Sequence, residues 1–264
     1  MKRTKGKFVL SAAILGWLIL TAGPSYAAHP LVTDDAGTVG AGSVQIEATG
    51  EFGRDKETAD DGTALESRTN EAALTLTYGL TQDLDFVVAA PYQWFSVYEN
   101  DALTGRENGL SDMGLDLKWR FFEKDGWALA LKPGVTLPTG DDEKGLGSGR
   151  AGYRLFFIST REMEPWAFHL NLGYIRNENR AGDRKDLWHA SVAAEVGLIE
   201  HLKAVANVGI ETNPAVGTSI DPAFALGGLI YELSEKVSLD AGVKFGLTEP
   251  ETDVSYLVGL TFKF

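Results

Sequence analysis

The chain has 264 residues and no cysteine, which excludes disulfides, thiolate nucleophiles and Cys-based zinc sites. Its formal net charge of −13 argues against nucleic-acid binding. Mean hydropathy is near zero, and beyond residue 20 no apolar run could span a membrane as a helix. Length and composition therefore leave one soluble domain or one barrel of about twelve strands.

The first seven residues carry four Lys/Arg and no acid, and Phe8 to Leu20 is an apolar run of thirteen residues. Ser25-Tyr26-Ala27 then places small residues at the −3 and −1 positions of a signal-peptidase site. The pattern predicts a signal peptide over 1–27, removal of which leaves 237 residues with a net charge of −17. A retained anchor is the alternative, but the run is shorter than the ~18 residues a spanning helix needs. Residues 28–42 are expected as a periplasmic N-terminal segment, with the option of tucking into the barrel, and 43–264 as the barrel itself.

From there the hydrophobic period is two. Val44, Ile46, Ala48 and Phe52 alternate with Gln45, Glu47, Thr49 and Glu51. Leu74, Leu76 and Tyr78 alternate with Ala73, Thr75 and Thr77, and Leu115, Leu117 and Trp119 with Asp116, Lys118 and Arg120. The reading predicts strands over Ser43–Phe52, Glu71–Leu80, Leu84–Phe95, Asp112–Phe121, Trp127–Leu137 and Arg150–Ile158. It continues through Trp166–Ile175, Trp188–Leu198, Leu202–Thr212, Ala223–Glu232, Val237–Leu247 and Val254–Phe264. Ala223–Glu232 is rich in Ala and Gly, so its facing is undecided. Short links (Thr81–Asp83, Ile199–His201) alternate with longer ones (Gly53–Ser67, Ser96–Ser111, Pro138–Gly149), as in barrels with short periplasmic turns and long outer loops. Lipid offers no partner for a free edge, so Ser43–Phe52 should lie antiparallel to Val254–Phe264.

Charge tests the period. On one parity stand nine acids (Glu47, Glu51, Glu71, Asp85, Asp112, Asp116, Glu195, Glu211, Asp240) and eight bases (Lys118, Arg120, Lys132, Arg150, Arg154, Lys203, Lys244, Lys263). Between strand ends the other parity has none. Lys or Arg facing lipid at the midplane costs about 2–4 kcal/mol, so this split fits a wall between lipid and a wet lumen. A soluble sandwich would instead turn its charged faces to bulk water. Trp94 and Trp188 fall at the outer strand ends and Trp119, Trp127 and Trp166 at the periplasmic ends, as two aromatic girdles. The fold class is an all-β transmembrane antiparallel barrel of about twelve strands.

The last strand, ending in Phe262-Lys263-Phe264, is similar to the C-terminal signal that the barrel-assembly machinery reads, with Tyr256, Phe262 and Phe264 as its aromatic positions. On the inner wall, Asp112, Asp116, Lys118, Arg120, Arg150 and Arg154 are the candidates for a constriction; mutual neutralisation is their bland alternative. His169, Asn171, His189 and Ser191 supply a base, an amide and a hydroxyl, as a lipid hydrolase would need. They face the lumen, though, where a lipase working on membrane lipid would not aim them. Gly145–Gly149 resembles a phosphate loop but precedes a strand rather than a helix. Asp60-Asp61 and Asp141-Asp142-Glu143 could hold divalent cations near lipopolysaccharide, against the plainer reading of solvated loop acid. No metal and no cofactor is expected.

Several segments carry a family resemblance. His29-Pro30-Leu31-Val32-Thr33-Asp34-Asp35-Ala36-Gly37-Thr38 resembles an opening motif. Leu110 to Phe121 resembles a Gly-Asp-rich strand ending in alternating basic and aromatic residues, with Ser111 in place of Gly. Leu137-Pro138-Thr139-Gly140-Asp141 with Leu146-Gly147-Ser148-Gly149 resembles a middle loop. Together they are similar to bacterial outer-membrane transporter-like proteins labelled "putative meta-pathway of phenol degradation". The resemblance implies a Gram-negative outer-membrane channel for small solutes, aromatic or otherwise hydrophobic. Partners would be outer-membrane lipid, lipopolysaccharide, the assembly machinery and the solute. The alternatives are an outer-membrane lipid hydrolase and a closed structural barrel.

Overall fold

A computed structural model describes residues 29–59 and 61–264; the expected signal peptide and Asp60 lie outside them. Thirteen strand segments form one closed antiparallel sheet. They are β1 (Val44–Thr58), β2 (Ala64–Gly79), β3 (Leu84–Glu99), β4 (Ala102–Leu110), β5 (Met113–Lys124), β6 (Trp127–Leu137) and β7 (Gly152–Met163). β8 (Trp166–Arg176), β9 (Asp186–Ile199), β10 (Leu202–Glu211), β11 (Ala223–Ser234), β12 (Val237–Gly246) and β13 (Val254–Lys263) complete it. β4 and β5 pair with the upper and lower parts of β3. They are successive halves of one stave, so the barrel has twelve.

Closure follows the expected seam. β1 lies antiparallel to β13, from Gln45 opposite Lys263 to Arg54 opposite Val254. The closed part of the wall thereby has no free edge, which a hydrocarbon surround demands. Facing follows parity: Leu117 is 42% exposed, while its neighbours Asp116 and Lys118 are 2% and 6% exposed. Leu74, Leu76, Phe86, Leu155, Leu172 and Val192 join Leu117 on the exposed outer band. Trp94 and Trp188 stand near one end of the wall and Trp119, Trp127 and Trp166 near the other.

Two expected outer loops prove largely to be strand. Most of Gly53–Ser67 extends β1 and β2, and Ser96–Ser111 becomes the end of β3, a tight turn and β4. Both faces of these extensions are wet, so the alternation that marks a membrane strand is missing there. β4 pairs with β3 alone, and β6 pairs with β5 but not with β4, so the sheet is interrupted above the Met113–Leu137 rung.

β11 resolves the undecided facing. Phe224, Leu226 and Ile230 point inward and are buried with Ala193, Val205 and Leu257 against Leu31 of the N-terminal segment. Its inner face is apolar because protein rather than water covers it, which removes the wet half of the pattern.

Candidate functional site

Residues 29–42 were expected as a periplasmic segment with the option of tucking into the barrel; in the structure residues 29–39 bond to the inner wall and 40–42 lie beside the turn at Gly79. They form no strand or helix, so their buried amides need side-chain partners. The inner wall supplies them. Val32 and Thr33 N–H donate to Asn207 Oδ1 (2.8 and 3.0 Å), and Ala36 N–H to Thr160 Oγ1 (2.8 Å). Asp34 N–H donates to Asn171 Oδ1 and Asn171 Nδ2 returns a bond to the Asp34 carbonyl, both at 2.7 Å. Val39 N–H reaches Asp85 Oδ2 at 3.0 Å, and His29 Nδ1 meets Asp240. Pro30 lies over β11 and β12, where a Cβ on Gly228 would stand 2.7 Å from its ring. Only glycine leaves that space.

One carboxylate fastens the middle of this plug. Asp34 accepts from Lys118 Nζ at 2.9 Å and Lys132 Nζ at 2.7 Å, with all three side chains buried. Asp35 adds a longer contact to Lys118 at 3.8 Å. Removing one partner of such a group strands the remaining charges without water. The cluster stands between two cavities. The outer one, ≈ 130 Å³, is lined by Val32, Asp34, Ala89, Pro91, Lys132 and Phe156 among others. The inner one, ≈ 490 Å³, is bounded by Asp35, Val39, Glu47, Asp85, Lys118 and Lys263 among others.

The six constriction candidates divide. Asp116 and Arg154 form a buried bidentate pair (Nε–Oδ1 2.7 Å, Nη2–Oδ2 2.8 Å), with Arg154 Nη1 on Thr136 Oγ1 at 3.1 Å. Gly134 sits opposite, where a Cβ would fall 1.8 Å from the Asp116 carboxylate. Lys118 grips the plug. Asp112 instead holds the loop between β6 and β7, accepting from Gly140 N–H (2.9 Å) and from Ser148 N–H and Oγ (2.8 and 2.7 Å). Arg120 is at the periplasmic rim, on Asp83 at 2.7 Å and Glu123 at 3.0 Å. Arg150 is exposed and has no ion pair among the described residues. Arg150 lies in the loop ahead of β7 rather than in a strand, so strand parity does not set its facing, and parity says nothing of the depth of Arg120. The aromatic positions also split by depth: Tyr256 lies opposite Phe52 near the outer rim, while Phe262 and Phe264 lie at the periplasmic end.

The hydroxyl and imidazole candidates form a different set from the one expected. Ser191 Oγ meets His189 Nε2 at 3.0 Å, and His189 Nδ1 meets Glu211 Oε2 at 3.0 Å. Such a row suits nucleophilic attack only with an open nucleophile. Ser191 is 3% exposed and lines neither lumen cavity. Asn171 is spent on the plug and His169 Nδ1 on Thr160 (2.9 Å).

At the outer mouth, Glu178 accepts from Lys185 at 3.0 Å and Arg176 at 2.7 Å. These bonds, Lys185 first, hold its carboxyl below the ordinary carboxylate range. Asp141 caps a single 3-10 turn, Asp142–Lys144, and contacts Lys144, while Asp142 pairs with Arg180 at 3.2 Å. These loop acids are engaged by basic side chains rather than grouped to coordinate an ion.

Sequence reasoning missed the joint role of Asp34 with Lys132, and that of Asn207 and Thr160. Their signal was present: uncharged amides and hydroxyls at inward positions are what an irregular backbone inside a barrel requires.

Comparison with known proteins agrees with this architecture. The profile of a family described as "Putative MetA-pathway of phenol degradation" matches residues 27–264. No curated protein matches the sequence. Among solved structures, the COG4313 outer membrane channel from Pseudomonas putida F1 is similar with a TM-score of 0.67 at 17% identity, over 87% of this chain and 98% of that one. The NanC porin gives 0.56 at 10% identity, over 83% and 100% of the two chains. The CymD monoaromatic hydrocarbon channel gives 0.51 at 10% identity, over 85% and 89%.

Proposed function

This chain belongs to the family described as "Putative MetA-pathway of phenol degradation", and from that premise we propose that it is a passive outer-membrane channel for small solutes, single-ring aromatic or similarly hydrophobic compounds foremost. The outer lumen cavity carries the reading. At ≈ 130 Å³ it is close to the about 150 Å³ that accommodates a benzene ring in an apolar protein cavity. Ala73, Ala89, Pro91, Phe156 and Ile158 give it apolar walls, and its cations Lys132, Arg154 and Arg176 are held by Asp34, Asp116 and Asp186 with Glu178. Such a chamber favours a neutral ring over an inorganic ion. Monoaromatic hydrocarbons, the solutes for which the CymD channel is named, belong to the same class.

Passage in this reading requires the plug to yield, with Asp116, Lys118 and Arg154 as the constriction. Asp112 and Arg150 act at the mouth and Arg120 at the periplasmic rim. The chain carries out no chemical step. Tyr256, Phe262 and Phe264 serve insertion by the assembly machinery, and the wall contacts outer-membrane lipid and lipopolysaccharide.

Planar-bilayer recording tests the channel. Asp34→Asn removes the buried carboxylate that Lys118 and Lys132 share, and breaking a buried ion pair costs about 3–5 kcal/mol. Open events should rise at least tenfold over the parent, by the usual conversion of about 1.4 kcal/mol per decade, with toluene or phenol flux into liposomes rising in parallel. Silence from both proteins, with no aromatic flux, would replace the channel with a closed structural barrel.

A further inference from the structure

The register of β1 to β4 stacks three rows of outward-facing residues at the outer end of the wall. The lowest is Gly50, Ala72, Tyr92 and Leu110, which abuts lipid. Above it run Phe52, Asn70, Trp94 and Asn108. Here Phe52 meets Trp94 edge-on at 6.2 Å and Tyr92 Oη donates to Asn108 Oδ1 at 2.8 Å. This is the aromatic girdle, where hydrocarbon gives way to headgroups.

The next row up is Arg54, Arg68, Ser96 and Arg106, and beyond it stand Lys56, Glu66 and Tyr98. Within these rows four cations face outward against one acid, and Asp101 at the turn between β3 and β4 also acts on Arg54. Glu66 is shared among Arg54 (2.5 Å), Arg68 (2.6 Å) and Lys56 (3.8 Å). Arg68 also lies over the Tyr98 ring at 4.7 Å. Arg106 has no acidic partner among the described residues, and it sits on β4, whose far edge bonds to no strand. The nearby carboxylate of Asp253 is engaged by the Lys56 backbone N–H at 3.0 Å.

Glu66 offsets only part of this charge and leaves the cluster net positive. Arg54 and Arg68 are directly opposite on adjacent strands about 4.8 Å apart, where like charges repel. The chain as a whole is strongly acidic, so basic crowding here is a local feature and not a trend of composition. On β8 at the outer end the charge is matched instead: Arg176 pairs with Asp186 at 2.8 Å and with Glu178. Arginine matches phosphate through paired N–H donors. A phosphate at this height and on this face would belong to the outer leaflet.

We infer that Arg54, Arg68 and Arg106, with Lys56, bind the phosphate groups of outer-leaflet lipopolysaccharide, whose acyl chains then lie along the aromatic and apolar rows below. The site rests on placement in the outer membrane and not on whether the lumen conducts, so a silent channel would leave it standing.

The test is binding of bisphosphorylated lipid A to the folded protein in detergent, read by native mass spectrometry. The triple variant Arg54→Gln, Arg68→Gln, Arg106→Gln should lose about tenfold or more in affinity while keeping the heat-modifiable mobility of a folded barrel. Dephosphorylated lipid A should bind the parent as weakly as phosphorylated lipid A binds the variant, and millimolar inorganic phosphate should not displace the lipid. Glu66→Gln, which removes the one acid, should tighten binding. Lys144→Gln, an exposed cation in the loop between β6 and β7, should change nothing. Equal binding of dephosphorylated lipid, an unchanged triple variant, or an equal loss in Lys144→Gln would each overturn the site.

Discussion

The wall and the plug it encloses are held by opposite means. Between Val44 and Lys263 the strands are held by backbone ladders that lipid makes obligatory, and the band facing lipid is apolar. Residues 29–42 have no ladder; they hang from the side chains of Asn207, Asn171, Thr160 and Asp85, with Asp34 as their ionic clasp. Damage to the wall should therefore be cooperative and abolish assembly. Damage to the plug should be local, and should appear as a change in permeability in a barrel that still folds.

The adjacent pair Leu117 and Lys118 separates the two behaviours at nearly one depth. Leu117→Arg puts a guanidinium against lipid at a cost of about 2–4 kcal/mol, a large share of a typical net stability. It should abolish the folded, heat-modifiable band. Lys118→Leu should assemble, because the loss falls on the clasp and Lys132 still holds Asp34. Loss of the folded band in both would mean that plug and wall form one cooperative unit.

A smaller effect is expected at the seam. Phe264 exchanges backbone bonds with Val44, N–H to carbonyl at 2.9 Å and carbonyl to N–H at 3.2 Å, and its ring is exposed at the periplasmic rim. Deleting it removes the final rung of closure along with an aromatic suited to recognition during insertion. Outer-membrane levels should fall several-fold on immunoblots, while the protein that does insert keeps the parent's permeability. A changed permeability would show that the seam also supports the plug.

The same division explains what was legible in the sequence. Wherever one face meets lipid and the other water, alternation disclosed the strand, its facing and even the β1–β13 closure. It failed where that contrast lapses. Ala102–Leu110 has two wet faces and read as loop, and Phe224, Leu226 and Ile230 have an inner side covered by Leu31. The plug was visible as a motif and not as a structure, because its partners in the wall lie up to 211 residues away and no periodicity encodes them. Arg120 was placed by facing alone, and facing carries no information on height.

The smallest expected effect lies at the outer mouth, where Arg176, Asn177 and Glu178 border the lumen cavity. The Glu178 carboxyl is held low by Lys185 and Arg176, so its contribution is complete above the ordinary value of 4.5 and is lost as pH falls through its folded value. Asp183 in the same loop has a carboxyl raised by burial, so its protonation on acidification favours the folded loop and works against that loss. A spin label at Ala181 should therefore report an unchanged segment from pH 8 to about 5, then growing mobility further below, by the linkage of proton binding to folding. Glu178→Gln should be mobile already at neutral pH and lose most of the acid response. Mobility that instead rises between pH 8 and 6 would point away from Glu178.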